Sequence, residues 1–358
     1  MPAELRLGDV FAQGRFLLTR VIGRGGMSTV YEAEEVATGE RVALKVLAWE
    51  RRRGTPLERF LQEARIGELL PRDHVVGVTE VGCAEDGSPF LVMELLEGRD
   101  LSEELTARGR LPVGEAVDLI LQACEGVAAA HAAGLVHRDL KPANLFLSRT
   151  ADGRRVVKVL DFGLSKVPRE LRDVRGSMTQ TDARFGTPRY MSPEQVRSTK
   201  QVDGRSDQHA LGLVLCELLT GKPVFEGRTP AAVLAALCTQ PAPSLRLARS
   251  DVPAKLDAVV LRALAKRPRD RHRSLAAFAE KLAPFGGEGA VAAAGRIEAI
   301  EGAKKRGRPA RGGEAGGKLV RRKLTEREGR LVVTAIALAT LAFVVVLAAL
   351  MAADWGRG

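Results

Sequence analysis

The spacing of apolar residues changes once along this chain, and that change limits the fold more than any other feature. Between residues 9 and 98 they fall in short alternating or continuous runs, FLLTRVIG, TVYEAEEV, RVALKVLA, VVGVTEVGCA and PFLVMELLEG, punctuated by glycine. Such runs read as strands, and LERFLQEARIGELL reads as one helix among them. From about Asp100 the apolar residues recur at helical spacing, in VGEAVDLILQACEGVAAAHAAG, SDQHALGLVLCELLTG, TPAAVLAALCTQ, AKLDAVVLRALAKR and SLAAFAEKLAPF. The order predicts an α+β fold of two lobes, one mainly strands and one mainly helices, with any shared site at their junction.

The far end has a different character. Residues 286–330 carry twelve Lys/Arg against six Glu, so they hold about half of the net charge of +11. They are rich in Gly, Ala and Arg with few large apolar groups, which predicts a flexible basic linker. Residues 331–353 then run 23 positions without a charge. At ~1.5 Å per helical residue that length covers a hydrocarbon core of ~30 Å. Seven Lys/Arg in the twenty residues before the run, against Arg357 alone after it, predict a single-pass helix in the cytoplasmic (inner) membrane. By the positive-inside rule residues 1–330 face the cytoplasm, and 354–358 form a short external tail. MPAELRLGDVFAQG has no apolar core of a secretory signal. Cys83, Cys124, Cys216 and Cys238 have neither zinc spacing nor a disulfide framework, so they read as reduced thiols.

Two stretches carry chemistry before any comparison. IGRGGMSTV follows the strand FLLTRVI, and Gly23, Gly25 and Gly26 would let the backbone approach a bulky anion, although glycine-rich turns also serve as plain turns. Lys45 ends the alternating strand VALK; facing inward it needs an anion, which Glu63 or a phosphate can supply, whereas facing outward it would be a surface lysine. HRDLKPANLF, residues 137–146, packs a His, an Arg, an Asp, a Lys and an Asn between apolar runs, so these polar groups sit at the lip of a core and need partners.

Together with DFG at 161–163 and SPE at 192–194, these motifs stand in the order of the protein kinase signature. Residues 9–285 resemble the eukaryotic-like (Hanks-type) bacterial serine/threonine protein kinases, most closely the membrane-anchored ones. The resemblance implies a bilobal kinase domain over 9–285, its N-lobe about 9–96 and its C-lobe about 97–285. It implies ATP with Mg²⁺, Mn²⁺ being possible, and proteins with Ser or Thr acceptors as substrates. In phosphoryl transfer the protein mainly positions groups and neutralises charge. Asp139 would orient the acceptor hydroxyl and take its proton, Lys141 would face the transferring phosphoryl group, and Lys45 would join Glu63 to the phosphates. Asn144 and Asp161 offer hard oxygens suited to Mg²⁺.

For the nucleotide the resemblance implies the loop Ile22, Gly23, Arg24, Gly25, Gly26, Met27, Ser28, Thr29 and Val30 over the phosphates. Val30, Ala43 and Phe146 would form apolar walls around the base. Met93 would stand as the gate, Glu94 and Leu96 would offer hinge backbone groups to adenine, and Asp100 would contact the ribose; each could instead be ordinary core. Arg138 would meet a phosphate on the activation segment, where Thr179 and Thr181 match an autophosphorylation pair. Thr187 would contact Asp139 and Lys141. His137 reads as packing below DFG, Asp207 as the brace of the catalytic loop, and Arg271 as the partner of Glu194. Ser28 and Ser192 depart from the Gly and Ala of the motifs without removing a reactive group. An inactive pseudokinase scaffold is the alternative within the family, and homodimerisation is a further expectation from it. Arg306-Gly307-Arg308-Pro309 resembles an AT-hook core. Nucleic-acid binding nevertheless ranks below attraction of the linker to anionic lipid.

Overall fold

The computed structural model describes residues 5–25, 28–47, 67–150, 152–162, 188–197 and 202–306. Six antiparallel strands form the N-terminal sheet: β1 Val10–Phe11, β2 Phe16–Arg24, β3 Ser28–Glu35, β4 Arg41–Leu47, β5 Val78–Cys83 and β6 Pro89–Glu94. Their order is β1-β2-β3-β4-β6-β5. Strand periodicity divides the sheet into two faces. Val42, Leu44 and Val46 join Phe16, Leu18, Phe90 and Val92 on one side. Ala43 and Leu47 join Leu91 and Met93 on the other, with Val30 and Leu160 against them. This second face is the roof of the site.

The C-terminal half holds α1 Leu101–Arg108, α2 Val113–Ala132, α3 Pro193–Arg197, α4 Gly204–Thr220, α5 Pro230–Thr239, α6 Leu245–Ala248, α7 Ala254–Ala263, α8 Leu275–Leu282 and α9 Ala290–Arg306. The core lies between α2 and α4, where Val117, Ile120, Leu121 and Cys124 meet Leu211, Val214, Leu215 and Leu218. A second sheet in the order β7-β8-β9 lies at the top of this half, built from Gly98–Asp100, Leu145–Arg149 and Arg155–Val159. The helical reading of the sequence passed over it because these strands are three to five residues long. Gly98 permits the close β7–β8 approach: its φ is +145°, and a Cβ there would stand 2.1 Å from the Leu147 carbonyl oxygen.

One boundary is corrected. Residues 290–306 are not part of a flexible linker but form α9, a helix packed on α2 and α8. Few large apolar groups were read as inability to bury surface. Ala290, Ala293, Ala294 and Ile297, however, occupy one helical face and are buried, since small side chains let two helices approach closely. Among the described residues no helix is long and apolar enough to cross a membrane. The apolar run 331–353 lies outside the described residues, as does most of the helix read over 57–70.

Candidate active site

Lys45 sits in β4 with Val30 and Leu91 as cross-strand neighbours, on the same face as Ala43 and Leu47. It is 5% exposed. An ammonium so placed must find an anion, and it does: Nζ pairs with the Asp161 carboxylate from the other half of the chain. Asp161 follows β9 with φ +61°, the left-handed region that a residue with a side chain occupies only when its surroundings hold it there. The β8–β9 ladder supplies that hold. Leu145 pairs with Val159, and Leu160 N–H donates to the Asn144 carbonyl at 2.9 Å, so Asn144 and Asp161 emerge side by side.

The loop that begins at His137 is bound from below by Asp207 on α4. Its carboxylate accepts from the backbone N–H groups of His137 and Arg138, both at 2.8 Å, and meets His131 Nε2 at 2.7 Å. Full burial works to raise this carboxyl, yet the His131 bond, nearby positive charge and the backbone donor outweigh burial and hold it below its ordinary range. Arg138 has φ +69°, a second strained backbone that the two bonds to Asp207 keep in place. His137 is fully buried, with Nε2 2.7 Å from the Leu160 carbonyl and its ring edge-on to Phe162 at 4.9 Å. It packs beneath the DFG segment.

Above this base the reactive groups converge. Lys141 Nζ donates to Asp139 Oδ2 at 2.9 Å, and Asn144 Nδ2 donates to the Asp139 carbonyl at 2.7 Å. The Asp139 side chain is about half exposed, so its carboxylate is open to an incoming group. A short 3₁₀ turn over Pro142–Asn144 carries the asparagine back toward β8. Asn144 and Asp161 together offer the hard oxygen pair that suits a small divalent cation completed by phosphate and water.

In the glycine-rich turn Gly23 pairs with Val30 and Arg24 with Thr29, and Gly25 N–H donates to the Ser28 carbonyl at 2.8 Å. Ile22 precedes it and is partly exposed. Met93 lies under Ala43 in the β4–β6 ladder, and an apolar cavity behind it is lined by Leu70, Val76, Val78, Leu91 and Phe162. Leu96 packs against the roof residues. Phe146 alternates with the core residues Leu145 and Leu147, and so faces the opposite side of β8. The Glu94 side chain bonds Gly77 N–H, at 2.7 Å, and Lys158 Nζ, at 2.9 Å, and so fixes the strand whose backbone is the expected hinge. Asp100, the expected ribose contact, is also the N-cap of α1, accepting from Ser102 and Glu103 N–H in a capping box. Gly26, Met27, Glu63, Thr179, Thr181 and Thr187 lie outside the described residues.

The structure adds groups that the sequence reading missed. Ser192 and Gln195 form a capping box at the start of α3, and Gln195 Nε2 reaches back to the Arg138 carbonyl at 2.7 Å. The S-x-x-Q spacing was the available signal. His131 was unremarked because a histidine on an apolar helix carries no signature of its partner. The pairing of Arg271 with Glu194, by contrast, was expected from the sequence, and two 2.7 Å bonds make it, with Arg271 1% exposed. Burial opposes ionisation of Glu194, but Arg271 and Ser206 hold its carboxyl down at about 2.

Across residues 16–281 the sequence matches the protein kinase domain family. The chain belongs to the protein kinase family. Its relatives are of the bacterial serine/threonine type. It is 42% identical over 270 residues to the serine/threonine-protein kinase Pkn1 of Myxococcus xanthus, an alignment covering 75% of this chain and 38% of that protein. It is 38% identical over 268 residues to the serine/threonine-protein kinase PknB of Mycobacterium tuberculosis, covering 73% and 41%. The crystal structure of the Mycobacterium tuberculosis PknI kinase domain superimposes with a TM-score of 0.58 at 28% identity, covering 83% of this chain and all of that domain. The chain spans about two fifths of the length of the curated relatives it matches.

Proposed function

We propose that this chain is an ATP-dependent serine/threonine protein kinase, transferring the γ-phosphoryl group of ATP to Ser or Thr hydroxyls of proteins. The observation that carries the reading is the Lys45–Asp161 contact, which joins the sheet face to the loop end beside Asp139, Lys141 and Asn144. With nucleotide in the cleft, Lys45 holds phosphate oxygens and Asp161 stays beside them. Asp139 orients the acceptor hydroxyl and takes its proton as the new phosphorus–oxygen bond forms. Lys141, already on Asp139, offsets charge on the transferring group while the bond to ADP breaks. Asn144 and Asp161 are the residues that would hold Mg²⁺, and the cation would neutralise phosphate charge.

Regulation and location belong to the same reading. Phosphate on Thr179 or Thr181 would bring about −1.5 to −2 charges toward Arg138 and order the activation segment. Residues 331–353 would anchor the protein in the cytoplasmic membrane with the kinase domain inside, and pairing of two copies would favour autophosphorylation. The test is incubation with γ-labelled ATP and a protein acceptor, in Mg²⁺ and in Mn²⁺, followed by phosphoamino-acid separation. Label on phosphoserine or phosphothreonine is expected. Label on phosphotyrosine alone, or none in either metal, would sink the proposal.

A further inference from the structure

Beyond the stretch that matches the family, α9 makes a contact that reaches the active site in few steps. Its course is closely set: Gly287 N–H donates to Asp118 on α2 at 2.9 Å, and the Glu301 carboxylate accepts from Leu275 N–H at the start of α8, at 3.1 Å. Gly286 has no room for a side chain, since a Cβ would stand 2.5 Å from the Asp118 carboxylate. With the helix seated on its alanine face, Arg296 makes a two-pronged contact to Glu125 on α2, Nε to Oε1 at 2.7 Å and Nη2 to Oε2 at 2.9 Å.

Glu125 is 13% exposed, and its other neighbour is His74, whose Nε2 lies 3.8 Å away. His74 belongs to the segment 72–77 that enters the N-terminal sheet, and β9 holds that segment from below. Its Nδ1 meets the Val157 carbonyl at 3.0 Å, its carbonyl accepts from Val159 N–H at 2.9 Å, and Val76 N–H donates to the Val159 carbonyl at 3.1 Å. On α2 itself, Gly126 leaves the space that the His74 carbonyl fills, because a Cβ there would come within 2.3 Å. The upper end of the segment is tied to the hinge strand: Gly77 and Glu94 bond reciprocally, and Lys158 of β9 joins Glu94 to the Arg72 carbonyl. Residues 72–77 are thus the pivot where the sheet of the N-lobe rests on β9, the strand that leads to Asp161.

We propose that Arg296 is a positioning residue for phosphoryl transfer, holding the pivot against β9 through Glu125 and His74 so that Lys45 and Asp161 face the same phosphates. Exposed ion pairs contribute little by themselves. This one covers a carboxylate that would otherwise face His74 with Asp73 close by.

The inference rests on the kinase reading, and the test separates the two. Full-length parent, Arg296→Met, Arg296→Lys, Glu125→Gln and the Met/Gln double variant are compared for KM of ATP, KM of a protein acceptor and affinity for Mg-ATP by calorimetry. Arg296→Met is expected to raise the KM and Kd for ATP about fivefold with the acceptor KM unchanged. Arg296→Lys should recover part of the loss, and the double variant should be no worse than Glu125→Gln. A purely structural role would lower the active fraction and leave both KM values alone. ATP affinity within twofold of the parent in Arg296→Met, or additive losses in the double variant, would overturn the proposal. A parent that binds Mg-ATP but transfers nothing would overturn the kinase reading instead, while the calorimetric comparison still decides the role of Arg296.

Discussion

Replacing Arg271 with Met removes a fully buried cation while keeping most of its apolar stem. The guanidinium makes two 2.7 Å bonds to Glu194 and donates to the Ala265 and Arg205 carbonyls at 2.8 and 2.9 Å. Two routes give the magnitude. Lowering the Glu194 carboxyl from 4.5 to about 2 corresponds to about 3 kcal/mol favouring the ionised folded form. Breaking a buried pair by removing one partner costs about 3 to 5 kcal/mol. The variant should therefore lose about 3 to 5 kcal/mol at neutral pH, a fall in Tm on the order of 10 °C. The pH dependence has a definite sign. A carboxyl lowered in the folded state contributes its stability above the unfolded value of 4.5, and that contribution disappears as pH falls through about 2. In Arg271→Met the carboxylate has lost its cation and takes up a proton more readily, so the gap to the parent should narrow between pH 5 and pH 2. Urea unfolding of both proteins across this range measures it. A gap under about 1 kcal/mol at pH 7, or one that stays constant as pH falls, would refute the reasoning.

Gln195→Ala removes the bond to the Arg138 carbonyl and the capping box of α3. A loss of about 1 to 2 kcal/mol is expected, and turnover should fall with the acceptor KM little changed; equal turnover would show that the catalytic loop is held without it. In the native protein a thiol reagent should label the exposed Cys83 first. Cys124 and Cys216, whose thiols burial pushes up, should react only on unfolding, and prompt labelling of either would contradict their burial.

Much of the fold was legible because its strong signals are local. The run RVALKVL announces a strand buried on both faces with Lys45 within it, and the charged run 137–144 flanked by apolar residues announces a bound loop. What the sequence reading missed depends on pairing between distant residues. His131 has no partner visible within its own helix, since Asp207 is 76 residues away. The Glu94 side chain likewise bonds Gly77, 17 residues away, and Lys158, 64 residues away. The α9 segment failed for a compositional reason: alanine counts for little in a tally of bulk, yet four small or branched residues on one helical face suffice to seat a helix. Arg296 was counted there as linker charge, and only its contact with Glu125 gives it a place in the site.

The proposed reaction needs one cleft that aligns an ATP phosphate with a hydroxyl held by Asp139. Its most direct measurement is single-turnover transfer from γ-labelled ATP by the parent and by Asp139→Asn, with Mg-ATP affinity measured on the same samples. Label on Ser or Thr is expected for the parent, with a loss of at least about a hundredfold in the variant and equal affinity in both. Transfer that survives the substitution, or a parent that does not bind Mg-ATP, would contradict it.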